Sequence, residues 1–172
     1  RVIQGGDIIE KGACSFTLIQ KGVLSAERAK AIRSRQSTLD VKPGDTYSAA
    51  ALSIVLHTRS PKIPTFRSDV RIFLVSSSTN RENDDDTETM AWFGGGADLT
   101  PYYLYEDDIS DFHALYRDLC AQHTLPNEYT YETMKKACDD YFYLPARCEH
   151  RGTGGIFFDD MNASHDTQKF VQ

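Results

Sequence analysis

Positive charge is scarce in this sequence: 19 Lys and Arg face 25 Asp and Glu, leaving a net charge of −6. That balance argues against nucleic acid or an anionic membrane as the main partner. It also means that an anionic ligand must be met by a local cluster of arginines, because the field of the whole chain repels it. No apolar run approaches the ~20 residues that span a bilayer, and the start carries no signal-peptide pattern. The four cysteines (Cys14, Cys120, Cys138 and Cys148) form no Cys-x-x-Cys pair and no Cys/His ladder. Free thiols in a reducing compartment are therefore expected, and no metal site. A phosphate loop is excluded as well, since no Gly-Lys-Ser/Thr ending follows any glycine run.

What remains is ordinary globular composition, 40% hydrophobic and 26% charged over 172 residues, enough for one domain spanning 1–172 with a sizeable core. Residues 2–20 read as two short strands: Val2, Ile3, Ile8 and Ile9 lead to a turn at Lys11-Gly12, and residues 15–19 follow. Ser25 caps a helix with Glu27 in its first turn, and the later arginines of that helix read as solvated. Residues 49–58 place Leu52, Ile54 and Leu56 on one face and Ser53, Val55 and His57 on the other. Residues 68–75 likewise set Val70, Ile72 and Leu74 against Asp69, Arg71 and Phe73. Each strand so offers an aliphatic face to bury and a mixed face to line a site. Residues 76–89, SSSTNRENDDDTET, read as a long acidic, solvated connection. Residues 107–123 and 130–144 are amphipathic helices, the second with Thr130 as a candidate cap, and residues 152–161 return as a strand. Strands followed by helices indicate an α+β fold, a large and mainly antiparallel sheet flanked by helices.

The stretch that organises the chain is WFGGGADLTPYYLYEDD, residues 92–108. Three glycines remove the Cβ, so another backbone or a flat ligand can come close. Asp98 follows two residues later, a lone carboxylate framed by small and apolar neighbours. Residue types alone leave a simple glycine bend as an even alternative.

The same stretch resembles the hallmark segment of the oxygen-dependent coproporphyrinogen III oxidases, and so does CDDYFYLPARCEHRGTGGIFFDD at residues 138–160. The resemblance runs from VIQGGDIIEKG at Val2 to the last residues. It is tight over 92–160 and loose over 43–89. It implies a coproporphyrinogen oxidase-like sheet, here incomplete at both ends, since the chain starts at Arg1 inside a strand-like pattern. It implies oxidative decarboxylation of two propionates of coproporphyrinogen III to vinyls, giving protoporphyrinogen IX. Molecular oxygen is then the co-substrate, with no organic cofactor. It further implies a homodimer that uses the segment matching residues 2–11, and a cytoplasmic or mitochondrial location, any targeting segment lying upstream of Arg1. The rival expectation is a catalytically impaired homologue that binds a porphyrinogen or pairs with an active subunit.

By the same resemblance Asp98 is the catalytic carboxylate, holding pyrrole N–H groups and supporting a developing cation. Arg71 anchors a propionate, and Ser53 matches a substrate-contacting serine. Arg147 and Arg151 are further propionate candidates, with loop solvation equally open. Three positions depart from the family motif. Arg67 stands where the family has a histidine proposed as a proton donor, Asp69 replaces an asparagine, and Ala146 replaces a frequent histidine. Arg67 and Asp69 still face the expected substrate space. His57 and His113 match family histidines linked to a divalent metal, yet without a third partner they read as ordinary hydrogen-bonded histidines. Asp98 is expected on the floor of the largest cleft, beside 94–96, with Arg71 and Ser53 facing the same space.

Overall fold

The computed structural model describes residues 1–35, 41–78 and 87–172. Strands β1 (Val2–Gln4), β2 (Ile9–Val23), β3 (Thr46–Thr58), β4 (Thr65–Ser78), β5 (Thr87–Thr100) and β8 (Gly154–Asn162) form one antiparallel sheet in the order β1-β2-β3-β4-β5-β8. A small hairpin, β6 (Tyr143–Leu144) with β7 (Glu149–His150), stands apart. The helices are α1 (Ala26–Arg35), α2 (Glu106–Gln122), α3 (Tyr131–Tyr141) and α4 (His165–Val171). The fold is α+β, as the order of elements indicates.

Local chemistry explains most of the boundaries. Ser25 accepts the Arg28 N–H and opens α1, and Thr130 opens α3 through a reciprocal capping box with Thr133. Helix α3 stops short of the expected residue 144. Leu144 precedes Pro145, whose ring disfavours a helical residue before it, so the chain passes into β6 instead. The expected turn at Lys11-Gly12 does not form. Lys11 pairs with Gln4 and Gly12 with Ile3 inside one 15-residue strand, β2. The chain reverses earlier, where Gly5 takes a φ of +80° and donates its N–H to the Glu10 carbonyl. The Gly5-Gly6 pair was the stronger reversal signal, because only glycine adopts that φ without strain. The acidic connection is also shorter than expected, since Ser76, Ser77 and Ser78 pair with Thr89, Glu88 and Thr87. Its remaining residues, 79–86, lie outside the described residues.

Register fixes the two faces of the sheet. Leu52 pairs with Val70 and Ala50 with Ile72, so the aliphatic sets of β3 and β4 share a face, as expected. Phe93, Ile156, Phe158 and Met161 continue it and pack with Tyr131 and Met134 of α3 and Phe170 of α4. Burial of each such side chain contributes about 1.5–3 kcal/mol. Toward β2 the same face is open: Phe16, Leu18 and Leu52 are exposed. On the opposite face α1 covers one end of the sheet, setting Ala29 and Ile32 against Val75 and Trp92, with Phe73 and Tyr47 alongside. Between α1 and the β6–β7 hairpin lies the mixed face of β4 and β5. Among the described residues, no helix is long and apolar enough to cross a membrane.

Candidate functional site

Period-two alternation puts Arg67, Asp69 and Arg71 of β4 on this face, and register brings Asp98, Gly96 and Gly94 of β5 opposite them. Ser53 of β3 pairs with Asp69 and so joins the same face. Arg67 Nη1 donates to Asp98 Oδ1 at 3.2 Å and Nη2 to Asp69 Oδ1 at 2.8 Å. Arg71 Nη1 donates to Asp69 Oδ2 at 2.9 Å, and its Nη2 lies 3.3 Å from Asp159 Oδ1. From the segment after β7, Arg151 Nη2 donates to Asp98 Oδ2 at 2.7 Å. The result is a row of alternating charge across β4, β5, β8 and the segment after β7: Arg151, Asp98, Arg67, Asp69, Arg71, Asp159. It gathers three arginines on one face, each paired with at least one aspartate.

Asp98 is not on the floor of an open cleft. It is 2% exposed, with each carboxylate oxygen taken by a guanidinium. The Phe142 ring lies 3.7 Å from Arg151 Cζ and 5.3 Å from Arg67 Cζ, an aromatic pier between two cations. A buried carboxylate is tolerated only when it is paired, and two arginines satisfy that demand. One of them carries a cost, because Arg151 Nε is buried with no hydrogen-bond partner among the described residues. Arg67, in place of the histidine that the family motif led us to expect, is long enough to span from Asp69 to Asp98.

The glycines have distinct duties. A Cβ on Gly96 would lie 2.6 Å from the Ile156 carbonyl oxygen, and one on Gly155 only 1.9 Å from that of Ala97. Both residues let β5 and β8 approach each other, not a ligand. Gly94 alone opens onto the cleft, where an added Cβ would meet Arg71 Nε at 2.6 Å and Asp159 Oδ1 at 2.7 Å. That cleft holds about 190 Å³ between α1 and the sheet. Ile32, Phe73 and Trp92 form its apolar wall, and Arg28, Arg71 and Asp159 supply its charge.

Arg28 precedes the later arginines of α1 that read as solvated, and it is exposed itself. It stands at the cleft and donates to the Tyr47 hydroxyl at 2.6 Å. Nothing in the sequence announced it, because the docking of α1 on the sheet is a tertiary matter. Asp159 was more accessible to reasoning: two residues beyond Phe157, it follows the alternation of β8 onto the charged face. Of the other candidates, Arg147 pairs with Glu149 on the exposed hairpin, and Ala146 is exposed there too. The fate of Arg151 is the pairing with Asp98.

His113 has both ring nitrogens engaged. Tyr131 Oη donates to Nδ1 at 2.8 Å, and Nε2 donates to the Thr153 carbonyl at 3.1 Å. Burial holds its pKa below the ordinary value, opposed by the Thr153 carbonyl. It is a poor fit for a metal ligand, and among the described residues no group of three or more His, Cys, Asp or Glu converges on a common point.

All four cysteines are free. Cys138 is fully buried, and burial first, then the nearby Asp98 carboxylate, push its thiol up to about 12. A thiolate-selective reagent at about pH 8 is thus expected to label exposed Cys14 and Cys148 in the native chain, and Cys138 only after denaturation. Native labelling of Cys138, mapped by peptide mass, would show that α3 does not seal this position.

The family described as coproporphyrinogen III oxidase matches residues 1–172. The oxygen-dependent coproporphyrinogen-III oxidase of Francisella tularensis subsp. holarctica (strain OSU18) is 38% identical over 161 residues, covering 94% of this chain and 47% of that protein. The protein of the same name from F. tularensis subsp. novicida (strain U112) is 40% identical over 162 residues, with the same coverage. That from F. philomiragia subsp. philomiragia is 38% identical over 161 residues, again covering 94% and 47%. The chain thus spans about half the length of the curated relatives it matches. A match from the first residue to the last, joined to the sheet register that Asp98 and its neighbours occupy, leaves one conclusion: this chain belongs to the coproporphyrinogen III oxidase family.

Proposed function

We propose that this chain carries the substrate-facing sheet of an oxygen-dependent coproporphyrinogen oxidase, acting in porphyrin and haem formation. The observation that carries the reading is the row of charge on one sheet face, with Asp98 tied to Arg67 and Arg151 and flanked by Arg71 and Ser53. In each of two steps a propionate, CH2–CH2–COOH, becomes a vinyl group and carbon dioxide. Two hydrogens leave with two electrons, and molecular oxygen accepts them to become hydrogen peroxide. Nothing in that balance requires an organic cofactor.

The residues have separable roles in this reading. Substrate propionates replace aspartates as guanidinium partners, first at Arg71 and Arg67, where bidentate geometry suits a carboxylate. Release of the guanidiniums frees Asp98 to accept pyrrole N–H groups and to stabilise positive charge as electrons leave the ring. Ser53 and Asp69 orient the bound edge of the macrocycle. A single domain, a homodimer built on the edge strand β1, and a cytoplasmic or mitochondrial location belong to the same reading.

A second reading, an impaired homologue that binds without turning over, draws on Arg67. A guanidinium does not release its proton near neutral pH, so it is no substitute for a histidine donor. It also occupies one oxygen of Asp98. In the full-length protein, Arg67→His is expected to raise kcat severalfold with a smaller change in KM, read from oxygen uptake and porphyrin fluorescence. Unchanged or reduced turnover would place Arg67 among the anchors and outside proton transfer.

A further inference from the structure

We infer that Arg28, fixed by Tyr47, is the second cation of a carboxylate-arm subsite between α1 and the sheet, with Arg71 as the first. The inference rests on the reading of a polyanionic, largely apolar ligand at this face. The cleft that Arg28 and Arg71 share, about 190 Å³, is smaller than the ~300 Å³ and upward of whole-ligand pockets. It suits one short acidic arm better than a whole ring system. Its walls divide accordingly, with Ile32, Phe73 and Trp92 for methylenes and the two guanidiniums for a terminal carboxylate.

The two cations differ in what already holds them. Arg71 lies between Asp69 and Asp159. Arg28 instead donates to a neutral phenol, and no carboxylate of the described residues lies within salt-bridge distance of it. Its guanidinium therefore stands at the mouth of the cleft without an ion-pair partner among the described residues, while Asp159, which also lines the cleft, is engaged by Arg71.

Its position is built. The Tyr47 ring lies on Gly22 of β2, where an added Cβ would come within 2.5 Å of the ring carbons Cε1 and Cζ. The same ring stacks on Phe73 at 5.1 Å, and Arg28 Cζ sits 5.0 Å from its centroid. Gly22, Tyr47 and Phe73 so aim a long side chain that would otherwise sample many rotamers. Tyr47 is a positioning residue and Arg28 the contact.

The experiment is fluorescence titration of the full-length protein with coproporphyrin III, the stable tetracarboxylate, and with its tetramethyl ester. Arg28→Gln is expected to weaken the acid about tenfold, the worth of one charge-assisted bond, and to leave the ester unchanged. Arg28→Lys recovers part of the loss, and Tyr47→Phe, which keeps the ring, costs about threefold. If Arg71→Gln weakens the acid but Arg28→Gln does not, the inference is overturned and the reading of the site stands. An equal loss for acid and ester also overturns it, making Arg28 a wall of the cleft. A wild-type protein that binds neither compound overturns both.

Discussion

Asp98→Asn is expected to slow decarboxylation by about a hundredfold or more in the full-length protein, while changing substrate affinity far less. Asparagine keeps the shape but loses the charge that supports a cation developing on the ring. The structure adds a second consequence. Asp98 receives a guanidinium on each oxygen, so an amide would set its NH2 against either Arg67 or Arg151, donor facing donor. Leaving one buried partner unmatched costs about 1–3 kcal/mol of stability. Single-turnover rates and the melting temperature separate the two effects. Loss of rate without loss of saturation by substrate marks an electrostatic role. Asp98→Glu is expected to fail similarly, because one methylene moves the carboxylate by about 1 Å.

Gly155→Ala is expected to destabilise the chain by about 3 kcal/mol or more, a large share of a domain's stability. The added Cβ would lie 1.9 Å from the Ala97 carbonyl oxygen and 3.1 Å from Asp98 Cα, and both are backbone atoms of the paired strand. Backbone does not yield as a side chain does, so β5 and β8 must part where Asp98 sits. Gly94→Ala makes the contrast, since its clash is with the ends of Arg71 and Asp159. It is expected to leave the urea midpoint nearly unchanged and to disturb the cleft instead. Equal midpoints for Gly155→Ala and the wild-type chain would contradict this account of the glycines.

The sheet was legible because alternation is a local property. Leu52 against Ser53 and Val70 against Asp69 told which face each residue would take, and Asp98 met Arg67 in register on the charged face. Caps were legible for the same reason, as Ser25 and Thr130 bond within their own first turns. The turn in the first hairpin was misplaced because one glycine was weighed and the neighbouring Gly5-Gly6 pair was not. What sequence did not reveal depended on reach and docking. Arg67 and Arg151 come from segments 84 residues apart and close over Asp98 from both sides, which no local pattern encodes. Arg28 reached the cleft only because α1 packs its Ala29 and Ile32 face onto Val75 and Trp92.

The most direct test of the central claim, that this face is an oxidative decarboxylation site, is a carbon and oxygen balance. The full-length protein is given carboxyl-labelled coproporphyrinogen III in air, with carbon dioxide, oxygen uptake and product mass measured together. The account predicts two labelled carbon dioxide molecules and two oxygens consumed for each divinyl product, formed about a hundredfold or more slowly when Asp98→Asn replaces the wild type. Recovery of the substrate with all four carboxyl groups, or product formed by the Asn variant at the wild-type rate, would contradict it.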